Sequence, residues 1–246
     1  MTDPVRRTRV SAASVGALGA ALALAPSRPA MAQLVPRLET PEASGLAGVA
    51  FEPEPVVNAA YLHPLPLGPP GATFLLGGGV KLPPLSISSG DLRVQLIASA
   101  GYRPSARWGG LCSALPYLAR AENDAATLYG LGLELRCEPS HVRGSWSFGL
   151  DLGWQQTLAT HVESSALARR TFGDRYPPGV TGIAGPKDGW YRFTSERFRL
   201  GVSTSHRFRG GWSGALALGT LFTRQDQGVY LPLIPFYLEL STTYAL

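Results

Sequence analysis

Charged residues make up only 16% of the 246 residues, cysteines number two, and no run beyond the N-terminal segment reaches the ~18 consecutive apolar residues that a membrane helix requires. The missing run excludes helical spans in most of the chain. If that part enters a bilayer it does so as a closed β-barrel, because only helices and barrels satisfy every backbone group in lipid. Metal-ligand spacing is absent, and the glycines of Leu76 to Val80 lack the Lys-Ser/Thr continuation of a phosphate loop, so neither a metal nor another cofactor is expected. The formal charge of +5 is also less than it looks. Residues 1–32 contain Arg6, Arg7, Arg9 and Arg28 against Asp3, and without them 18 basic and 16 acidic residues remain. No basic run interleaved with aromatics survives, which excludes nucleic acid as a partner.

The N-terminus has a basic head, an apolar stretch from Val10 to Ala25, and Ala30-Met31-Ala32 before Gln33. This is the order of a secretory signal peptide, with cleavage expected after Ala32. Thr8 and Arg9 after the arginine pair fit ordinary secretion better than twin-arginine export. Residues 33–55, rich in Pro, Glu and Ala, are expected to be a periplasmic lead-in with at most a short strand at Gly45 to Phe51. Residues 56–246 are expected to form the folded domain.

That domain alternates apolar and polar residues with a period of two, the mark of strands with two different surroundings. Eight strands are expected: Val56 to Leu62, Thr73 to Leu82, Asp91 to Arg103, Thr127 to Cys137, Ser145 to Leu158, Tyr191 to His206, Trp212 to Arg224 and Ile234 to Leu246. In the last, Phe236, Leu238, Leu240, Thr242, Tyr244 and Leu246 share one face; Tyr237, Glu239, Ser241, Thr243 and Ala245 share the other. This stretch, IPFYLELSTTYAL, resembles the closing strand of a small bacterial outer-membrane β-barrel, although its last aromatic, Tyr244, stands two positions before Leu246. The resemblance implies an all-β, transmembrane, up-and-down antiparallel barrel in the outer membrane. It also implies contact with outer-membrane lipids and lipopolysaccharide, and recognition of the terminal strand by the barrel-assembly machinery during insertion. A monomer is expected, with the terminal strand closing against Val56 to Leu62.

Apolar faces turned to lipid leave Tyr61, Tyr102, Tyr129, Trp146, Trp154, Trp212, Phe222 and Tyr244 for the aromatic girdles. Trp146 and Trp154, eight residues apart, would stand ~20 Å apart along the membrane normal at the usual strand tilt. The links divide into long ones (Pro64 to Ala72, Pro104 to Ala126, Ala159 to Gly189, Gln225 to Leu233), expected outside the cell, and short ones (Pro83 to Gly90, Glu138 to Gly144, Phe208 to Gly211), expected in the periplasm. Cys112 and Cys137 fall too far apart to join in this eight-stranded scheme. They are, however, symmetric about Asp124 and Ala125, so a hairpin turning at Glu122-Asn123-Asp124 would set them opposite each other. That alternative makes Trp108 to Leu118 a strand and favours ten strands, with Pro116 counting against it because a proline cannot donate to a ladder.

Lys81, Arg93, Gln95, Glu134, Arg136, Asp151, Gln155, Arg197, Arg199 and Glu239 are expected to line the lumen. In a narrow barrel such charges must pair or hold water, and a polar plug without an open pore is expected. A channel for polar or anionic solutes is the alternative. A lipid-modifying enzyme is another: some outer-membrane lipid A deacylases and acyltransferases place Ser and His near the outer leaflet, and His161-Val162-Glu163-Ser164-Ser165 contains suitable residue types, as do Ser203, Ser205 and His206. A nucleophile needs its base at hydrogen-bond distance, which proximity in sequence does not provide, so no catalytic residue is expected. The expected role is structural or adhesive, exerted through the long outer loops. Arg169, Arg170, Asp174, Arg175, Lys187 and Asp188 are candidates there to meet lipopolysaccharide, polysaccharide or protein.

Overall fold

The computed structural model describes residues 42–51, 55–83, 92–122, 126–175, 188–192, 195–225, 228–230 and 236–246. The signal peptide expected over 1–32 and most of the lead-in lie outside the described residues. Among the described residues the chain forms twelve strands and one helix, α1 (Ala166–Arg175). The strands are β1 (Ser44–Phe51), β2 (Pro55–Leu65), β3 (Ala72–Leu82), β4 (Leu92–Tyr102), β5 (Trp108–Glu122), β6 (Ala126–Arg143), β7 (Trp146–Ser164), β8 (Gly189–Tyr191), β9 (Ser195–Arg207), β10 (Trp212–Gln225), β11 (Gly228–Tyr230) and β12 (Phe236–Ala245).

β1 to β7 pair in chain order, each antiparallel to the next; β7 then pairs β9, β9 pairs β10, β10 pairs β12, and β12 returns to β1. The result is a closed antiparallel barrel of ten strands, with β8 and β11 as three-residue extensions on β7 and β10. Closure matters energetically, since it leaves no unpaired strand edge. Ser44 and Ala245 lie together at one end, called here the near end; the turns 66–71, 103–107, 144–145 and 208–211 are also there. The helix and the strand ends Phe51, Pro55, Leu82, Leu92, Glu122, Ala126, Gln225 and Phe236 are at the far end.

Ten strands correct the expected eight. β1 is a full member of the ring, and β12 closes against it, from Ser44↔Ala245 to Phe51↔Leu238, rather than against the Val56 strand. β1 was hard to read because its sequence, SGLAGVAF, alternates among small residues with little contrast in polarity. β5 occupies most of what was expected to be the outer loop Pro104 to Ala126. Pro116 does sit in it, at a cost: the β4–β5 ladder runs from Leu92↔Arg120 to Gln95↔Tyr117, skips the pairs around the proline, and resumes at Ala98↔Ala114. The two added strands also reverse the first three expected ones, so the link 66–71 belongs to the near end, and Leu82 and Leu92 stand at the far end.

With β5 in place, Cys112 and Cys137 are direct ladder partners and are joined by a disulfide. β7 continues past its expected end at Leu158. A register shift pairs Gly132 with Thr157 and Leu131 with Ala159, making Leu158 the extra residue of a bulge.

Two substitutions separate closure from cross-linking. Val49→Pro in β1, which is paired on both sides, is expected to abolish the cooperative unfolding transition followed by tryptophan fluorescence in urea. Replacing both cysteines by serine should keep that transition and lower stability by about 3 kcal/mol, read from the urea midpoint.

Candidate functional site

The pleat sends alternate side chains inward, and on several strands the inward set is charged. Lys81 on β3, Arg93 on β4, Glu134 and Arg136 on β6, Asp151 on β7, Arg199 on β9 and Glu239 on β12 are all buried, Arg93 completely. Gln95 is buried with them, and Gln155 and Arg197 are half-buried on the same inner face. Of the ten residues expected to line the lumen, eight are thus buried and two half-buried.

Seven of them form two groups. Arg93 donates to Glu134 Oε2 at 2.8 Å, and its guanidinium stacks 3.7 Å from the centre of the Tyr117 ring. The Tyr117 hydroxyl accepts from Gln155 Nε2 at 2.9 Å and meets Thr157 Oγ1 at 3.3 Å. In the second group Arg136 grips Asp151 with two prongs, Nε to Oδ1 at 3.0 Å and Nη2 to Oδ2 at 2.8 Å, and reaches Glu239 Oε2 at 3.2 Å. Arg199 donates to the same two acids, to Asp151 Oδ2 at 2.7 Å and to Glu239 Oε2 at 2.8 Å. The Tyr237 hydroxyl adds a third donor to Asp151 Oδ2 at 2.8 Å, and Arg199 stacks 3.6 Å from the Tyr237 ring centre. Two guanidinium groups thus balance two carboxylates across four strands, β6, β7, β9 and β12. Such an arrangement offsets the desolvation of buried charges because both carboxylates receive charge-assisted donors, with four hydrogen bonds reaching Asp151 and two reaching Glu239.

Tyr117 and Tyr237 were missed as site residues. Tyr117 was hidden because its stretch was expected to be a loop; Tyr237 was placed on the polar face but given no partner. The signal was in facing glycines. A Cβ at Gly132 would fall on the Tyr117 phenol, and one at Gly201 would fall on the Tyr237 hydroxyl, so both rings lie flat in the wall where a side chain is missing. A void of about 20 Å³, lined by Arg136, Glu138, Asp151, Ser203 and Glu239 among others, adjoins the second group and has room for about one water.

The candidate catalytic residues do not converge. His161 and Glu163, 3.7 Å apart, belong to the outer face of β7, whereas Ser164 is buried on the inner face, and the Ser165 hydroxyl accepts the Ala168 N–H to cap α1. Ser203 and Ser205 likewise point inward while His206 points outward, where its Nε2 lies 3.0 Å from Ser145 Oγ in the turn 144–145. Of the expected loop contacts, Arg169 pairs with Asp188 at 2.6 Å, and Asp188 Oδ1 accepts the Ser164 N–H, tying α1 to the end of β7. Asp174 and Arg175 lie within α1, and Lys187 lies outside the described residues.

The expected girdle residues are on the outer face. Tyr61, Tyr102, Trp146, Trp212 and Tyr244 are exposed toward the near end, with Trp212 and Tyr244 in ring contact at 4.7 Å. Tyr129 and Phe222 are exposed toward the far end, and Trp154 is half-buried on the same outer face.

No protein-family model matches the chain, and no curated protein matches it in sequence. Among solved structures, the KdgM porin is 9% identical with a TM-score of 0.37, matched over 82% of this chain and 99% of that one. The β domain of the Bordetella autotransporter BrkA is 11% identical with a TM-score of 0.38, over 84% and 99%. The translocator domain of autotransporter NalP from Neisseria meningitidis is 10% identical with a TM-score of 0.32, over 83% and 87%. Likenesses this distant say nothing about activity, and the barrel assignment rests on the chain's own ladders.

Glu239→Gln would leave Arg136 and Arg199 sharing one carboxylate and is expected to destabilise the barrel by about 3–5 kcal/mol in urea unfolding. Glu122→Gln, which breaks the exposed Arg120–Glu122 pair at 2.6 Å, should leave the urea midpoint almost unchanged in the same assay.

Proposed function

We propose that this chain is an integral barrel of the bacterial outer membrane whose interior is plugged by its own side chains, and that it acts through its surface rather than as an open pore. The observation that carries this reading is an inverted distribution of polarity. Leu96 is 65% exposed and Leu118 63%, and outward leucines, valines and aromatics recur around the ring. Arginine, lysine, aspartate and glutamate are meanwhile buried inside. A barrel in water would leave that apolar belt to the solvent, whereas a barrel in lipid would bury it. Side chains that carry charge yet are almost inaccessible also leave no continuous water path at their level, which favours the plug over the channel.

On this reading the far-end elements, with α1 held by Arg169 and Asp188, are the surface offered outward for contact with lipopolysaccharide or another macromolecule. The candidate serines Ser164, Ser203 and Ser205 lie on the opposite face of the wall from His161 and His206, so these pairs give no support to a lipid-modifying enzyme.

Expressed with its full N-terminal segment, the protein should fractionate with outer membranes and migrate faster on a gel when unheated than when boiled. Recovery in a detergent-free soluble extract would overturn the membrane reading. In planar bilayers the inserted protein should show no steady conductance, and regular ohmic steps would overturn the plugged interior.

A further inference from the structure

The two ends of the barrel differ in charge. At the far end the described charges are of both signs: Arg120 pairs with Glu122, Arg169 pairs with Asp188, His161 lies beside Glu163, and Arg170, Arg192 and Glu196 are there as well. At the near end the turns 66–71, 103–107, 144–145 and 208–211 contain Arg103, Arg107 and Arg209 and no acidic residue, and Arg143 and Arg207 flank them. Among the described residues, Glu42 before β1 is the one acidic side chain at that rim. Arg107, Arg143 and Arg209 are exposed there.

The outer wall directly above this basic arc is concave. One row of the ladder reads Arg143↔Trp146↔His206↔Gly214↔Thr242↔Ala47, and after Trp146 and His206 its outward side chains are small. Taller rows flank it. Toward the rim stand Trp212 and Tyr244; toward mid-barrel stand Leu216, Leu240 and Val49. Along this row lies an open apolar groove of about 790 Å³, lined by Val49, Val57, Leu216, Leu240 and Phe208 among others. Its rim-side end is closed by aromatic contacts, Trp146 with His206 at 4.5 Å and His206 with Phe208 at 4.7 Å. Arg143, the ladder partner of Trp146, and Arg209, next to Phe208, stand at that end.

We propose that the near-end rim binds an anionic phospholipid, with an acyl chain in the groove beside Gly214 and Thr242 and the headgroup phosphate at Arg143 and Arg209. This rests on the membrane reading above, which turns the groove toward lipid. The charge decides the headgroup. An arginine-rich arc beneath an aromatic belt favours phosphatidylglycerol or a similar net-negative lipid over a zwitterionic one, because each surface arginine adds its own attraction to an anionic leaflet. Guanidinium groups also bind phosphate oxygens in pairs.

The test is lipid selectivity in vesicles. The full chain is folded into phosphatidylcholine vesicles, and the motionally restricted fraction of spin-labelled phosphatidylglycerol is compared with that of spin-labelled phosphatidylcholine by electron paramagnetic resonance. Wild type should restrict phosphatidylglycerol severalfold more than phosphatidylcholine. The preference should fall by up to about fivefold for each arginine removed in R143Q/R209Q and shrink in high salt. The far-end variant R120Q should retain it, and Gly214→Leu, which fills the groove, should reduce restriction of both lipids. Equal restriction of the two lipids by wild type overturns the proposal while leaving the membrane reading intact, as does a preference that survives R143Q/R209Q; the former is the result expected if the rim serves an acidic protein instead. Failure of wild type to enter the vesicles at all overturns both.

Discussion

Arg136, Asp151, Arg199 and Glu239 bear on one another across the lumen, and the stability of the closed ring depends on how completely they do so. Ten strands enclose more interior than aliphatic side chains fill here, and the pleat commits every second residue to that interior. Charges placed inside must find partners, because an unpaired one would cost several kcal/mol. The four-membered network meets that requirement by pairing two planar guanidinium forks with two carboxylates, and Tyr237 adds a further donor to Asp151 Oδ2. Since Glu239 and Tyr237 come from β12, the same contacts fasten the closing strand to β6, β7 and β9 from inside, in addition to its ladders with β10 and β1.

The outer face follows from the same alternation. Once arginines and acids occupy the inward positions of β4, β6, β7, β9 and β12, the intervening residues are free to be leucine, valine and aromatic, and they form a belt suited to lipid. Ends and middle then do different work. The middle is apolar outside and ionic inside; the near end is basic and aromatic; the far end has a helix tethered by an ion pair. Aromatic contacts to histidine occur at both ends, Trp108 with His141 and Trp146 with His206 at one, Trp190 with His161 at the other. All of the histidines named as possible catalytic bases are thereby accounted for as wall residues.

The legible part of this protein was what a period of two can carry. Leu92 to Tyr102 and Trp146 to Trp154 alternate so strongly that their two faces could be assigned residue by residue, and the burial of Arg93, Gln95 and Asp151 follows the same alternation. Strand number was not legible. β1 alternates between Gly, Ala, Leu and Val, so its two faces differ little in polarity, and β5 contains Pro116, which local rules disfavour within a ladder. The disulfide was legible only as a conditional: the symmetry of Cys112 and Cys137 about Asp124 and Ala125 favoured a hairpin, but accepting it required accepting the proline.

By itself, then, the sequence determined which side chains face in and which face out, because that depends on each residue's neighbours two positions away. Tertiary structure alone decided how many strands close the ring, that β12 meets β1, and that Arg136 shares its acids with Arg199 rather than with Arg93. Those outcomes depend on register between segments as much as 200 residues apart, such as Ser44 and Ala245. Register is set by the global requirement that the ring close with its interior filled, and no local pattern encodes it.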